Sequence, residues 1–244
     1  MTLYVFLFII LLVCFYILWR YRVKKVQTYI SPRLGTIVVW EKYNREKLLT
    51  INNFSQGISI NDPTVKKSYW YKIASCVLEV CKKNKNPKVL ILGLGANTIP
   101  LLIQKENPRV FFTIVEIDEH IIHACKDWFF LSSLKNVAFI NDDAYKVIEK
   151  QKQIHGPFDA IVIDIFNGKS GLIIHSKEEK IITQLSKLLY PHGVLVFNWP
   201  ANSKKTRDEV EEIITNCKKN NLEVSREYVV DPRGYKNFVI TASV

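Results

Sequence analysis

Lys88-Val89-Leu90-Ile91-Leu92-Gly93-Leu94-Gly95-Ala96-Asn97-Thr98, followed after a helix-length gap by Phe111-Phe112-Thr113-Ile114-Val115-Glu116-Ile117-Asp118, decides the fold of this chain. Val89–Leu92 is a short, unbroken apolar run, the pattern of a strand buried on both faces of a parallel sheet. Gly93 and Gly95 permit a sharp turn and a close backbone approach. Thr98–Lys105 reads as a helix and Val110–Val115 as the next strand, with Glu116 at its carboxyl end. Ligands of open α/β sheets bind beyond the carboxyl ends of the strands. A carboxylate there can accept both hydroxyls of a ribose, so the stretch points to a nucleoside-containing cofactor. Thr98 stands at the third position of the Gly-x-Gly-x-x-Gly fingerprint, so only part of that motif is present.

Working outward, strand and helix patterns alternate. His120–Leu131 has helical spacing, Val137–Ile140 reads as a strand, Asp143–Lys152 as a helix and Phe158–Ile163 as a strand ending in Asp164. Ser176–Leu189 follows as a helix, Val194–Asn198 as a strand and Lys204–Asn220 as a helix. Val224–Val230 and Asn237–Ser243 have no helix between them and predict an antiparallel pair at one edge. The alternation predicts a Rossmann-like, doubly wound, mostly parallel sheet. Its rim carries acids at three strand ends: Glu116, Asp142-Asp143 and Asp164. Asp143 can meet an adenine amino group or cap its own helix. Asp164 emerges from a buried strand into the crevice beside the cofactor.

Upstream of the stretch, Gly35–Glu41 and Lys47–Ile51 are strand-like, joined by a turn at Asn44-Arg45-Glu46, and Ser55–Ile60 is a candidate third strand. This β unit is too small to stand alone and is expected to lean on the larger unit downstream of it. Val65–Lys82 has helical spacing, with Tyr69, Ile73, Val77 and Val80 on one face. Leu3–Trp19 is uninterrupted apolar sequence, roughly 26 Å of helix against a bilayer core of about 30 Å. Arg20, Arg22, Lys24 and Lys25 follow it. Positive charge after the apolar run, rather than before it, is the reverse of a secretory signal and predicts a single-pass membrane anchor with the remainder on the cytoplasmic side. The expected organisation is an anchor with basic flank over 1–25, a small β domain over 26–64 and a cofactor-binding catalytic domain over 65–244.

Composition sets outer bounds. The 244 residues suit one α/β domain with a small appendage, and 48% hydrophobic content supplies a sizeable core. The formal charge of +11 favours anionic surfaces, but the lysines are scattered, and nucleic acid is not an expected partner. The five cysteines form no Cys-x-x-Cys pair and fit a reducing compartment. His120 and His123, with Cys125 nearby, share a helix but find no second ligand pair, so no metal site is expected.

Gly93-Leu94-Gly95-Ala96-Asn97, Val115-Glu116-Ile117-Asp118, Asp142-Asp143-Ala144 and Phe158-Asp159-Ala160-Ile161-Val162-Ile163-Asp164, at these separations, resemble the class I methyltransferase fold. Within it they look most like the spermidine synthase (aminopropyltransferase) group. The small β unit ending near Gln56 and the aromatic start Tyr69-Trp70-Tyr71 resemble that group's N-terminal domain and aromatic helix. The resemblance covers about Pro32 to the C-terminus. It implies an adenosyl-sulfonium co-substrate, S-adenosylmethionine or its decarboxylated form, and an amine or other small-molecule acceptor. Gly93 and Gly95 would form the cofactor loop, Glu116 would hold the ribose, Asp143 and Ala144 the adenine, and Gln56 would face cofactor or amine. Asp164 matches the catalytic aspartate that takes the amine's proton. Relatives on this fold are often dimers, so a homodimer is compatible with the resemblance.

The chain departs from the family pattern at three places. Ala96 replaces a loop aspartate, Trp70 replaces a histidine, and Asp164-Ile165-Phe166-Asn167-Gly168 lacks the second acid of the family's loop. Two alternatives therefore stand beside an aminopropyl or alkyl transferase: a methyltransferase on the same fold, and a non-catalytic binding protein that keeps the pocket. If Asp164 and Gln56 share an open pocket, the enzyme readings gain. If Phe166 or Trp70 fills it, the binding protein gains.

Overall fold

The computed structural model describes residues 2–20, 23–150, 153–166 and 178–244. In chain order the elements are helix α1 (Thr2–Arg20), strands β1 (Lys24–Ser31), β2 (Gly35–Glu41), β3 (Lys47–Ile51) and β4 (Phe54–Ile58), and helix α2 (Tyr69–Cys81). There follow β5 (Lys88–Leu92), α3 (Thr98–Glu106), β6 (Phe111–Val115), α4 (Glu119–Trp128), β7 (Val137–Ile140), α5 (Ala144–Lys150) and β8 (Phe158–Ile163). The chain closes with α6 (Glu178–Ser186), β9 (Leu189–Pro200), α7 (Lys204–Lys219), β10 (Glu223–Val230) and β11 (Lys236–Ser243).

Seven strands form one sheet in the order β10-β11-β9-β8-β5-β6-β7. β5 lies between β6 and β8 and is parallel to both. β6 and β7 extend the sheet to one side, and the chain then crosses back to lay β8 against β5. The order reverses at the carboxyl end of β5, the switch point where open α/β sheets take ligands. The apolar run decides this placement, because alternate side chains feed two cores. Val89 and Ile91 join the core under α2, α3 and α4, and Leu90 and Leu92 join the one under α5, α6 and α7. β8 is buried at every position, as a central parallel strand requires. β10 and β11 form the antiparallel edge, and β11 also pairs antiparallel with β9.

β1–β4 form a separate antiparallel meander. Ile37, Val39, Leu49, Ile51 and Ile58 pack into the same core as Trp70 and Ile73 of α2, so the small sheet does lean on the larger unit. Ser31 donates its hydroxyl to Asp118 at the start of α4, adding a polar tie.

Several elements differ from the sequence reading. Lys24 and Lys25, read as basic flank, open β1, which pairs with β2 along its length. The strand escaped notice because it shows only weak alternation and buries fully at Ser31 alone. The helix expected over Val65–Lys82 is broken at Ser68, whose backbone is extended and whose hydroxyl accepts from the Tyr71 amide at 3.4 Å. β9 is longer than Val194–Asn198, because Leu189 pairs with Phe158 across a register shift that absorbs Pro191-His192-Gly193. The starts or ends of two expected helices, at 151–152 and 176–177, and the loop residues Asn167 and Gly168 lie outside the described residues, as do Tyr21 and Arg22 of the flank.

Among the described residues, no helix is long and apolar enough to cross a membrane, so the predicted transmembrane helix is not supported. α1 itself is a helix of 19 residues, and its described side chains, 4–14 and 16, are exposed.

Candidate active site

The glycine loop is the hinge of the site. Gly93 has φ 94° and Gly95 φ 54°, both in the region that side chains avoid. Their surroundings make the requirement stricter. A Cβ on Gly93 would lie 2.2 Å from the Asp164 carbonyl oxygen, and one on Gly95 would lie 2.4 Å from that of Gln56. The two glycines therefore let the Asp164 and Gln56 backbones approach the loop closely. The Asp164 amide donates to Leu92 at 3.0 Å, and the Ala96 amide donates to the Gln56 carbonyl at 3.3 Å. Thr98 locks the same junction, donating its hydroxyl to the Ile58 carbonyl at 2.7 Å and accepting from the Ile58 amide at 3.0 Å. Ala96 is buried, and a Cβ on Gly57 would sit 2.5 Å from the Ala96 methyl, so Gly57 and Ala96 are fitted to each other.

Asp164 and Gln56 line one cavity of about 390 Å³, together with Phe54, Tyr69, Trp70 and Asn198. Trp70 packs on Tyr69 with ring centroids 4.5 Å apart, and Phe166 lies 5.9 Å from Phe54. These aromatics wall the cavity without filling it. Asn198 donates from Nδ2 to Asp164 Oδ1 at 2.7 Å, and Asn237 donates from Nδ2 to Asn198 Oδ1 at 2.7 Å. An asparagine amide can face either way. Here Asn237 occupies the oxygen end and so directs the nitrogen end at Asp164. Asp164 keeps partial exposure through the cavity, yet the protein around it desolvates the carboxylate and pushes its pKa up to about 6, against the opposing pull of the Asn198 hydrogen bond. Burial, reinforced by the Asp164 charge, also raises the Tyr69 hydroxyl well above its ordinary value.

The other predicted acids are placed differently. Glu116 is buried, and its two oxygens accept the Leu94 and Asp118 amides, each at 2.9 Å. Burial raises its pKa, and the backbone donors hold it down in part. It clamps the glycine loop, and a carboxylate's roughly four lone-pair sites leave it capacity for a further donor. Asp143 accepts the Tyr145 amide at 2.8 Å and caps α5, whose first residue is the buried Ala144. Asn141 ties this corner to Glu116 by donating to the Glu116 carbonyl at 2.8 Å. Glu116, Asp143 and Ala144 share the rim but do not line the cavity around Asp164. In the loop itself, Asn97 donates to the Phe129 carbonyl at 3.0 Å, and its buried Oδ1 has no partner among the described residues. No metal-ligating cluster occurs among the described residues.

Sequence reasoning missed Asn198, Asn237 and the pair Asp231–Arg233. Asn198 follows an unbroken apolar run as Asp164 does, and that signal was present. Asn237 carries none, because it meets Asn198 only through the β9–β11 register, in which Val239 opposes Asn198 and Asn237 is its diagonal neighbour.

The spermine/spermidine synthase domain matches residues 67–244. The chain belongs to that family. Among curated proteins, this family member is 26% identical over 149 residues to a polyamine aminopropyltransferase of Vibrio vulnificus, covering 61% of this chain and 50% of that one. It is 23% identical over 133 residues to an eEF1A lysine and N-terminal methyltransferase homolog of Drosophila melanogaster, covering 52% of this chain and 20% of that one. The chain thus matches half or less of the length of these curated relatives. A probable spermidine synthase of Corynebacterium glutamicum superposes with a TM-score of 0.71 at 18% identity, over 90% of this chain and 79% of that one. Human methyltransferase-like protein 13 in complex with SAH superposes with a TM-score of 0.57 at 18% identity, over 70% of this chain and 80% of that one. Both share the fold.

Proposed function

We propose that this family member transfers an aminopropyl or other alkyl group from an adenosyl-sulfonium co-substrate to an amine, with Asp164 as the base. The observation that carries the reading is a desolvated carboxylate at the switch point, opening onto a 390 Å³ cavity and held at one oxygen by Asn198. A base whose pKa lies near the working pH is suited to proton transfer.

Bound, the co-substrate supplies an electrophilic carbon beside a positively charged sulfur. The chain supplies the rest. Gly93 and Gly95 admit it to the loop, Glu116 offers its remaining lone pairs to the ribose, and Asp143 with Ala144 borders the adenine. Gln56 faces the reacting end across the cavity. Asp164 takes the proton that the attacking amine loses, and the Asn237–Asn198 relay leaves Oδ2 for that task. The residues fit the group at two points: close approaches that a side chain at Gly93 or Gly95 would block, and a buried Asn97 oxygen that lacks a donor among the described residues.

Titration of the full-length protein with S-adenosylmethionine, its decarboxylated form and methylthioadenosine tests the pocket, and absence of binding to all three overturns it. Amine-dependent release of methylthioadenosine from the decarboxylated donor establishes aminopropyl transfer. The second reading is methyl transfer from S-adenosylmethionine, favoured by Ala96, which removes the family's loop acid, and by the methyltransferases among the relatives. Release of S-adenosylhomocysteine distinguishes it. The open cavity weighs against a purely non-catalytic binding protein.

The division into 1–25, 26–64 and 65–244, with the first boundary moved ahead of Lys24 by β1, and a single-pass anchor with the catalytic part on the cytoplasmic side belong to the same proposal. The anchor rests on the sequence alone, on uncharged Leu3–Trp19 and the basic residues after it. Extraction of the full-length protein by alkaline carbonate would contradict it. Self-association into a homodimer is checked by light scattering.

A further inference from the structure

We infer that the acceptor taken by this cavity carries one amine on an apolar or aromatic body, and that the cavity selects against polycations. This rests on the transferase reading above.

The charged groups around the cavity leave one carboxylate for an incoming ammonium. Among the described residues lining the cavity, the carboxylates are Asp164 and Glu209, and the cations are Lys205 and Lys236. Glu209 is already engaged: it accepts from the Trp199 indole at 3.2 Å and faces the Lys205 ammonium at 3.8 Å. Asp231, buried nearby, is matched by Arg233, which donates to it from Nε at 3.0 Å and again from Nη2. The stretch 167–177, which follows Phe166, contains neither Asp nor Glu and so supplies no acid wherever it lies. Among these described carboxylates none is left over for a second ammonium once Asp164 has served the first.

The aromatic faces on which a second ammonium could sit already carry a cation. The Arg233 guanidinium lies 4.6 Å from the Trp70 ring and 5.6 Å from the Tyr235 ring, and both rings line the cavity. Its third nitrogen reaches Ser55, another lining residue, at 3.1 Å. Lys236 adds a further cation to the same lining. A polycation would lose hydration at both ends and regain a partner at only one, which is the costly way to bury charge. The uncharged lining includes neutral polar groups such as Gln56, Asn202, Ser203 and Thr206, and a set of apolar and aromatic surfaces, Phe54, Phe166, Ile165, Tyr69, Trp70 and Pro200, that can hold an apolar or aromatic body.

The test uses the full-length protein, the donor that binds, and three probes at equal concentrations of free amine: n-hexylamine, 2-phenylethylamine and 1,4-diaminobutane. Thioether release is the readout. The expected result is a kcat/KM at least about tenfold higher for either monoamine than for the diamine, the size of one unmatched, partly screened charge. Lys236→Glu, which adds a carboxylate to the lining, is expected to move the ratio toward the diamine by about tenfold. Equal or better use of the diamine overturns the inference and leaves the transferase reading standing, and so does an unchanged ratio in Lys236→Glu. Absence of thioether release from every donor and acceptor overturns the transferase reading, and this inference with it.

Discussion

The two halves of the sheet's rim hold the same residue type for opposite purposes. On the β6–β7 side, Glu116 gives both oxygens, and Asp143 one, to backbone amides of the loops beside them. On the β8–β9 side, Asp164 meets one side-chain amide and opens onto a cavity. Acids of the first kind shape the loops that a ligand would touch. The acid of the second kind keeps bonding capacity in reserve and holds an unfavourable charge, as a reacting group must. An acid at a strand end is thus ambiguous until its hydrogen bonds are counted.

The contrast breaks first at Asp164. Asp164→Asn is expected to lower turnover by about 10²–10⁴-fold, the usual contribution of a general base. Unchanged turnover removes Asp164 from the mechanism. The same change should raise stability at neutral pH. The folded pKa lies above the ordinary carboxylate value, so the carboxyl favours the folded state most below about pH 4, and that contribution is lost as pH rises through about 6. Urea denaturation at pH 7 is expected to show a gain of about 1–2 kcal/mol for the amide variant.

Gly95→Ala probes the joint between the two halves. Its Cβ would collide with the Gln56 carbonyl. A loss of about 2–4 kcal/mol in denaturant midpoint stability is expected, from strain at positive φ plus the displaced β4.

Glu116→Gln sharpens the structural side. A glutamine offers one oxygen where two amides need acceptors, so about 1–3 kcal/mol of stability should be lost. Loss of donor affinity with stability unchanged would instead mean that ligand binding alone is its task and erase the contrast.

Asn237→Ala makes the smallest change and touches only the relay. It frees the Asn198 amide to turn and weakens the donor on Asp164. That donor holds the Asp164 pKa down. The acidic limb of the rate profile, expected near pH 6 in the parent protein, should therefore move upward by about half a unit to one unit. A fall in rate with no movement of the limb would mean the relay is structural only.

How much of this was legible differs along the chain. β5 and β8 announced themselves because burial on both faces leaves apolar residues at all but one position of each, Lys88 and Asp159. Their carboxyl-end residues could be named for the same reason: the first acid after such a run must reach the rim. β1 was illegible because its neighbours supply only weak alternation, and its partner β2, not its own residues, holds it in place. The break at Ser68 was visible only as a serine, a residue that caps helices but also sits within them.

The sequence by itself determined the strand–helix alternation, the glycine turn at the switch point and the candidacy of Asp164, since each follows from burial period or local backbone freedom. Only the tertiary structure decided what each acid is for. It set Gly95 against Gln56 and Gly93 against Asp164, gave the Glu116 oxygens to the loop, and aligned Asn237, Asn198 and Asp164 across three strands. Those facts depend on register and on close approach between segments distant in the chain, and no residue carries its partner's position in its own identity.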